Sequence, residues 1–243
     1  SDCLKLKIKK ILSHYPVDIN FVTKNFSRKK KILICDMDST MIESESLDEI
    51  AYQAGIGQEV SEITKKAMKG EIDFNQALRN RIRLLKDFPL KKILQLNNKI
   101  VFTKGSKELV ASMKKHKCLT ILVSGGFSPV VSYVAKMIGF DFYHCNYFLY
   151  KKLSGDIVVQ GNVLNPILSK ECKLSIAKKY VRKLGTNLSD VVSVGDGAND
   201  VDLIKNSGIG VSFKGKKILN ENADIIFNFT NLRGLIYLQG LKD

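Results

Sequence analysis

The chain has 243 residues, of which 44% are hydrophobic and 26% charged, as is usual for a globular protein with its own core. It has no apolar run near the ~20 residues that span a bilayer, and its first residues, SDCLKLKIKKILSHYP, lack the apolar centre of a secretory signal, so we expect a cytoplasmic protein. Five widely spaced cysteines without a C-x-x-C pair argue against a disulfide framework and a cysteine zinc site.

Lysine dominates the net charge of +15, which comes from 39 basic and 24 acidic residues. A charge of this size can serve nucleic-acid binding through phosphate contacts. The lysines, however, are spread over many separate segments, and the chain has no zinc finger or aromatic RNA-binding motif. We therefore expect no nucleic-acid or membrane partner, and a positive surface that attracts small anions. A basic nucleic-acid-binding protein remains the non-enzyme alternative.

The first predicted strand, KILICD at 31–36, leads into two acidic residues, Asp36 and Asp38. Residues 1–30 before it are predicted to be an N-terminal extension, the remnant of a longer region. Two carboxylates so close together cannot both stay charged and unpaired at low cost. A divalent cation would resolve the conflict, and hard oxygen ligands without a nearby histidine or cysteine favour Mg²⁺.

Only helical patterns follow, in the stretch 44–103. Ser46 and Glu49 fit a capping box at the start of LDEIAYQA. The next helix, QEVSEITKKAMK, is expected to stop at Gly70, and Asp73 is a good N-cap for FNQALRNRIRLLK. This stretch is predicted to be a small helical domain inserted after the first strand.

Strand-like runs and helical patterns alternate in the rest of the chain, as in βαβ units that build a parallel sheet. We predict an α/β protein with a Rossmann-like core at 31–43 and 104–243 and a helical cap domain at 44–103. The further predicted strands are 118–126, 191–197, 208–213 and 223–227, the core helices are 106–116, 128–139, 172–185 and 199–208, and a β-hairpin is predicted at 145–163.

Polar residues follow three of these strands, and ligands of parallel sheets bind beyond the carboxyl ends of the strands. Asp196, in the run GDG, can add a third carboxylate to Asp36 and Asp38. Mg²⁺ held by carboxylates usually also binds substrate phosphate, which points to phosphoryl transfer. Asp36 can then be the nucleophile that forms an aspartyl-phosphate, and Asp38 the general acid and base.

Phosphate oxygens need donors at the same edge of the sheet. Ser124 and the amides after it can provide them, because Gly125 allows close approach of the backbone. Lys173 is the candidate for a cation against the phosphate. Asn199 either caps its helix or contacts the ligand, and Asp200 either supports the metal ligands from behind or is an exposed helix residue.

The runs DMDST, SGG and GDGAND resemble the motifs of the haloacid dehalogenase superfamily of phosphatases. The fuller match, from about residue 31 to the end and including the cap, is to its phosphoserine phosphatases. The resemblance implies Asp36 as the nucleophile and Asp38 as the general acid and base. It also implies Mg²⁺ bound by Asp36, the backbone carbonyl of Asp38 and Asp196.

The same resemblance implies the residues that hold the substrate's phosphate. They are Ser124, the amide of Gly125 and a lysine, which the spacing between motifs places at Lys173, with Lys170 as the fallback. Asn199 of the GDGAND run is implied to lie close to the substrate.

Selection of the substrate is implied to lie on the cap. The resemblance places a glutamate for the ammonium group at Glu45, nine residues after the nucleophile, with Glu43 as a nearby competitor. It places an arginine for the carboxylate at Arg81, which suits planar, bidentate recognition. Phe74 lies seven residues before Arg81, so both share a helical face that can close over the site.

The resemblance thus implies a phosphatase that releases phosphate from O-phospho-L-serine, completing serine biosynthesis, as a monomer or homodimer. One alternative is a phosphatase or phosphotransferase of the same fold that acts on another small phosphorylated metabolite, such as phosphohomoserine. A signalling receiver domain also phosphorylates an aspartate beside Mg²⁺, but receivers are much shorter and lack both a helical cap and a GDGAND run.

Overall fold

Strands and helices alternate along the chain in the computed structural model, which describes residues 2–12, 14–22, 28–68 and 71–241. The strands are β1 Ile32–Cys35, β2 Leu119–Phe127, β3 Phe142–Asn146, β4 Phe148–Leu153, β5 Asp156–Val163, β6 Val191–Gly195, β7 Ile209–Phe213 and β8 Ile225–Phe227. The helices are α1 Asp2–Leu12, α2 Ser46–Gln53, α3 Gly57–Met68, α4 Phe74–Leu84, α5 Leu90–Leu96, α6 Ser106–Lys115, α7 Ser128–Ile138, α8 Lys170–Lys183, α9 Val201–Asn206, α10 Lys217–Asn220 and α11 Gly234–Leu238.

Six parallel strands form the main sheet in the order β3-β2-β1-β6-β7-β8, and β4 and β5 form a separate antiparallel pair. The first strand lies in the middle, where Cys35 is in register with Leu122 of β2 and Val194 of β6. The carboxyl ends of these three strands are therefore neighbours. The predicted α/β class with a parallel sheet is confirmed.

A layer of apolar side chains covers each face of the sheet. Leu33 and Cys35 belong to one buried cluster, and Ile32 and Ile34 to another, because successive side chains of a strand point to opposite faces. All four residues of β1 are fully buried, which explains its unbroken apolar run.

The helical stretch α2 to α5 leaves and rejoins the core at one place. Ile42 and Phe102 form an isolated antiparallel bridge, and the Glu43 N–H donates to the Val101 carbonyl at 3.0 Å. The predicted boundaries of the cap lie beside this crossing. Buried side chains of α4, such as Ile82, belong to the same apolar cluster as Leu33 and Cys35 of β1, so the cap helices and the sheet share one continuous core.

The start of α2 differs from the predicted capping box. The helix begins at Ser46, and Glu45 holds the N-cap position without a side-chain hydrogen bond to the helix. Asp38 replaces the predicted cap, because its Oδ1 accepts a hydrogen bond from the Ser46 N–H at 2.8 Å. The predicted cap at Asp73 is confirmed by the Gln76 N–H, which donates to its Oδ1 at 2.9 Å.

Other predicted elements shift at their ends. The predicted hairpin 145–163 begins only at Phe148, and the segment before it is β3, which extends the main sheet. The predicted helix 199–208 is a short 3₁₀ turn, Ala198–Asp200, followed by α9. The predicted stop of α3 at Gly70 lies outside the described residues.

The segment before β1 contacts the end of the sheet. Asn20 exchanges two hydrogen bonds with the backbone of Ile226, and the Asp18 carboxylate accepts the N–H groups of 228–230. None of the helices in the described ranges combines the length and apolar character that crossing a bilayer requires.

Candidate active site

Three aspartates meet where β1 and β6 end side by side. The Asp36 N–H donates to the Val194 carbonyl at 2.9 Å, which ties the residue after β1 to the neighbouring strand. Carboxylate oxygens of Asp36, Asp196 and Asp200 lie within 4.8 Å of one another. The register of the parallel sheet thus brings Asp36 next to two acids that follow it by 160 and 164 residues in the sequence.

The Asp36 carboxylate is held by two nitrogen donors that arrive from other elements. The Lys173 Nζ lies 2.8 Å from Asp36 Oδ1 and 2.6 Å from Asp200 Oδ1, and its side chain is 2% exposed. The Asn199 Nδ2 donates to Asp36 Oδ2 at 3.2 Å. Lys170, the fallback lysine, is exposed and lies 3.9 Å from Glu171 instead. The structure therefore brings Lys173 to the acids and leaves Lys170 at the surface.

Lys173 stays charged despite its burial. Burial alone lowers the pKa of its ammonium group, but the carboxylates of Asp200 and Asp36 raise the pKa above its ordinary value. Both oxygens of Asp200 are used, because Oδ1 accepts from Lys173 and Oδ2 accepts from the Gly197 N–H at 3.3 Å. Asp200 therefore holds the lysine and the GDG turn rather than facing outward.

The close approach of Asp200 requires a glycine at position 195. A Cβ atom there would lie 2.4 Å from the Asp200 carboxyl carbon, which no side chain could accommodate without displacing the acid. The first glycine of the GDG run therefore makes room for the aspartate that anchors Lys173.

The remaining acids carry more negative charge than the site can easily hold. Burial, and after it the negative charge of Glu45, raises the pKa of Asp38 to about 7. Burial, and after it the negative charge of Asp36, raises the pKa of Asp196 to about 6. A hard divalent cation would relieve this repulsion, and the ligand atoms that the three clustered aspartates offer are carboxylate oxygens. The residues present therefore fit such a cation.

The SGG run at the end of β2 lies next to the acids. Ser124 is fully buried, and its Oγ lies 3.4 Å from Asp38 Oδ2 and accepts the Gly126 N–H at 2.9 Å. The nearest atom to a Cβ built on Gly125 is Phe74 Cζ, at 3.9 Å. The Phe74 ring of α4 thus lies near this part of β2.

Arg81 of α4 is half-buried, and its Nε donates to the Ala77 carbonyl at 3.4 Å. Burial lowers the pKa of the Arg81 guanidinium, while the charges of Asp48 and Glu45 oppose this change. Glu45 is exposed and borders a groove of about 510 Å³ that α2 and α3 line. Glu43 lines a different cavity, with Lys99, beside the cap's connections to the core. Glu45 and Glu43, the two candidates for binding the ammonium group, therefore border different cavities.

Sequence reasoning missed Asn146, a fully buried residue at the end of β3. Its Nδ2 donates to the Gly125 carbonyl at 2.8 Å, and its Oδ1 accepts the Leu168 N–H at 2.8 Å. One side chain thus joins the SGG run of β2 to the segment that enters α8, the helix that carries Lys173. Nothing in the local run FYHCN indicates that Asn146 links these two segments, because the link forms only when β3 pairs with β2.

Asn146→Ala is expected to destabilise the fold by about 2 kcal/mol or more, because it leaves a buried carbonyl and a buried N–H without partners. We also expect lower catalytic activity, since the SGG run and α8 lose their link. Urea unfolding and steady-state rates measure the two effects. Asn98→Ala, in an exposed residue, is the matched control, and equal stability of the two variants would contradict the bridging role.

Comparison with known families agrees with this geometry. Residues 30–208 match the sequence model of the haloacid dehalogenase-like hydrolase family. The chain belongs to this family.

Its relatives narrow the group further. A phosphoserine phosphatase of Methanocaldococcus jannaschii is 39% identical over 211 residues, which are 86% of this chain and 97% of the relative. A probable phosphoserine phosphatase of Schizosaccharomyces pombe is 37% identical over 228 residues, 93% of this chain and 76% of the relative. A solved structure described as a phospho-aspartyl intermediate analogue of phosphoserine phosphatase is 37% identical, with a TM-score of 0.77, and covers 88% of this chain and 100% of its own. The resemblance to the phosphoserine phosphatases is therefore confirmed.

Proposed function

We propose that this enzyme hydrolyses O-phospho-L-serine to L-serine and inorganic phosphate, with Asp36 as the nucleophile and Mg²⁺ as the cofactor. The observation that carries the proposal is the position of Asp36, bound to a buried lysine and beside two further acids at the carboxyl edge of the sheet. A substrate-bound phosphoserine phosphatase structure, 37% identical to this chain with a TM-score of 0.77, supports the choice of substrate.

The reaction divides into two displacements at phosphorus. In the first, an Asp36 oxygen forms a bond to phosphorus while the bond from phosphorus to the serine oxygen breaks, and Asp38 gives its proton to that leaving oxygen. In the second, Asp38 takes a proton from a water molecule that attacks phosphorus, and the bond to Asp36 breaks. The pKa of about 7 at Asp38 suits both directions of proton transfer near neutral pH.

Lys173, Ser124 and the Gly125 amide hold the phosphate oxygens in this scheme. Lys173 brings a positive charge that costs no reorganisation during the reaction, because two carboxylates already fix its position. Asn199 orients Asp36 through Oδ2 and lies next to the transferred group.

Asp36, the Asp38 backbone carbonyl and Asp196 would hold Mg²⁺, with Asp200 behind them as the partner of Lys173. The ion supplies positive charge that draws electron density from the phosphate. We expect that a chelator abolishes phosphate release and that millimolar Mg²⁺ restores it. A screen of phosphorylated small molecules, with and without Mg²⁺, measures this and the substrate together. Undiminished activity after chelation, or release from other phosphates but not from O-phosphoserine, would contradict the proposal.

Glu45 and Arg81 select the amino-acid part of the substrate. A carboxylate suits the ammonium group, and a guanidinium suits the carboxylate in a bidentate pair. The electrostatic effect of Glu45 on Arg81 supports their facing one site. Phe74, which is partly exposed near the SGG run of β2, would exclude water from the site when the cap closes.

Arg81→Ala is expected to raise the KM for O-phosphoserine by about 10- to 100-fold, because a charged bidentate contact is lost. Arg83→Ala, in an exposed residue of the same helix, is the matched control and should stay near wild type. Steady-state kinetics at saturating Mg²⁺ measure both. Similar KM values in the two variants would remove Arg81 from the substrate site.

The proposed reaction has consequences for the movement of the cap and for the place of the enzyme in metabolism. We propose that residues 44–103 act as the cap that opens and closes over the 31–43 and 104–243 core, and that the reaction is the last step of serine biosynthesis in the cytoplasm. Proteolysis of the cap connections with and without a phosphate analogue tests the first of these, since closure should protect them.

A further inference from the structure

Ser39, the residue after Asp38, has an unusual backbone conformation. Its φ of 53° lies in the left-handed region, which serine adopts rarely. Its N–H donates to the Ser44 carbonyl at 3.3 Å, across the turn that leads into the cap. A residue other than glycine in such a conformation next to a reactive group points to a task for its side chain.

The Ser39 side chain contacts one of the substrate-selecting residues. Its hydroxyl donates a hydrogen bond to the Glu45 carboxylate, with 2.7 Å between Oγ and Oε1. Glu45 makes no side-chain hydrogen bond to the helix it precedes. The orientation of this exposed carboxylate is therefore set by Ser39 rather than by α2.

The other carboxylate oxygen of Glu45 is available to a ligand. In the described part of the chain, no hydrogen bond to Glu45 Oε2 is present, and Glu45 borders the groove between α2 and α3. The next residue, Ser46, donates its N–H to Asp38 Oδ1 at 2.8 Å. Glu45 thus borders this groove and is linked through its neighbours in the chain and through Ser39 to the turn that carries Asp38.

We propose that Ser39 is a positioning residue for substrate selection, whose hydroxyl fixes Glu45 so that its free oxygen meets the ammonium group of the substrate. The inference rests on the proposed function, in which Glu45 binds that ammonium group. A carboxylate already held at one oxygen loses less freedom when the substrate binds. Ser39 itself does not touch phosphorus, so its effect falls on selection between substrates.

The test compares Ser39→Ala and Ser39→Gly with wild type on two substrates. One is O-phosphoserine, and the other is 3-phosphoglycerate, which has a hydroxyl group in place of the ammonium group and is followed as a substrate or a competitive inhibitor. Ser39→Ala should lower kcat/KM for O-phosphoserine about tenfold, mainly through KM, because a charge-assisted hydrogen bond is lost. The values for 3-phosphoglycerate should stay within about twofold.

Ser39→Gly separates the hydroxyl group from the backbone. Glycine adopts a positive φ without strain, so this variant should fold at least as stably as wild type and still lose selectivity. Retained selectivity in Ser39→Gly, equal losses on both substrates, or no change in Ser39→Ala would each overturn the inference.

A double-mutant cycle with Glu45→Gln distinguishes this inference from the proposed function. If Ser39 acts through Glu45, Ser39→Ala has no further effect on selectivity in the Glu45→Gln background. If Glu45→Gln alone leaves the preference for O-phosphoserine intact, the assignment of Glu45 in the proposed function fails. If Glu45→Gln removes the preference but Ser39→Ala does not, only the role of Ser39 fails.

Discussion

Asp36→Asn is expected to abolish phosphate release, with a fall of about 10⁴-fold or more in kcat. The amide has nearly the same shape as the carboxylate but cannot attack phosphorus to form an acyl phosphate. Its Oδ1 can still accept from Lys173, which also keeps its contact with Asp200 at 2.6 Å. Phosphate release from O-phosphoserine at saturating Mg²⁺ measures the effect.

The matched control for this variant is Asp202→Asn, in an exposed residue of α9. It makes the same chemical change away from the site and should keep activity within about twofold. Thermal unfolding of both variants shows whether the fold is retained. A folded Asp36→Asn enzyme with near wild-type turnover would rule out Asp36 as the nucleophile.

Lys173→Met is expected to lower kcat by about 10³-fold and to destabilise the fold by about 3–5 kcal/mol at neutral pH. Methionine fills a similar volume but leaves Asp36 and Asp200 without the ammonium group between them. Burial and the charge of Asp36 raise the pKa of Asp200 to about 7, and in the variant the lysine charge no longer opposes this rise. Because this folded-state pKa lies above the unfolded one, protonation of Asp200 returns part of the lost stability as the pH falls below about 7.

Lys170→Met provides the comparison, because this lysine starts the same helix but is exposed. It should match wild type in rate and in the free energy of unfolding, measured in urea at pH 7 and pH 5. A Lys173→Met variant as stable at pH 7 as Lys170→Met would contradict the buried ion pairs, and one equally active would contradict the phosphate-binding role.

The central part of the fold could be predicted because its signals are local. The unbroken apolar run of β1 reflects burial on both faces, and polar residues at the strand ends mark the functional edge of a parallel sheet. Phe142 and Tyr143 of β3, in contrast, are exposed at the edge of the sheet, so no apolar run indicated this strand.

The details that depend on tertiary contacts could not be predicted. Ser46 was expected to cap α2, but Asp38 lies close enough to do so only because the turn after β1 folds back onto the helix. The buried bridge at Asn146 likewise requires three segments distant in sequence. Lys173 could be proposed from its spacing, whereas its burial between two acids follows from the packing of α8 on the sheet.

The most direct test of the whole account is a crystal structure of the enzyme with Mg²⁺ and beryllium fluoride, which imitates a phosphoryl group on a carboxylate. We expect the beryllium atom to be bonded to an Asp36 oxygen, with Lys173 and Ser124 on its fluorides and the metal bound by Asp36 and Asp196. Beryllium fluoride bound to another residue, or a metal that avoids Asp36 and Asp196, would contradict the account.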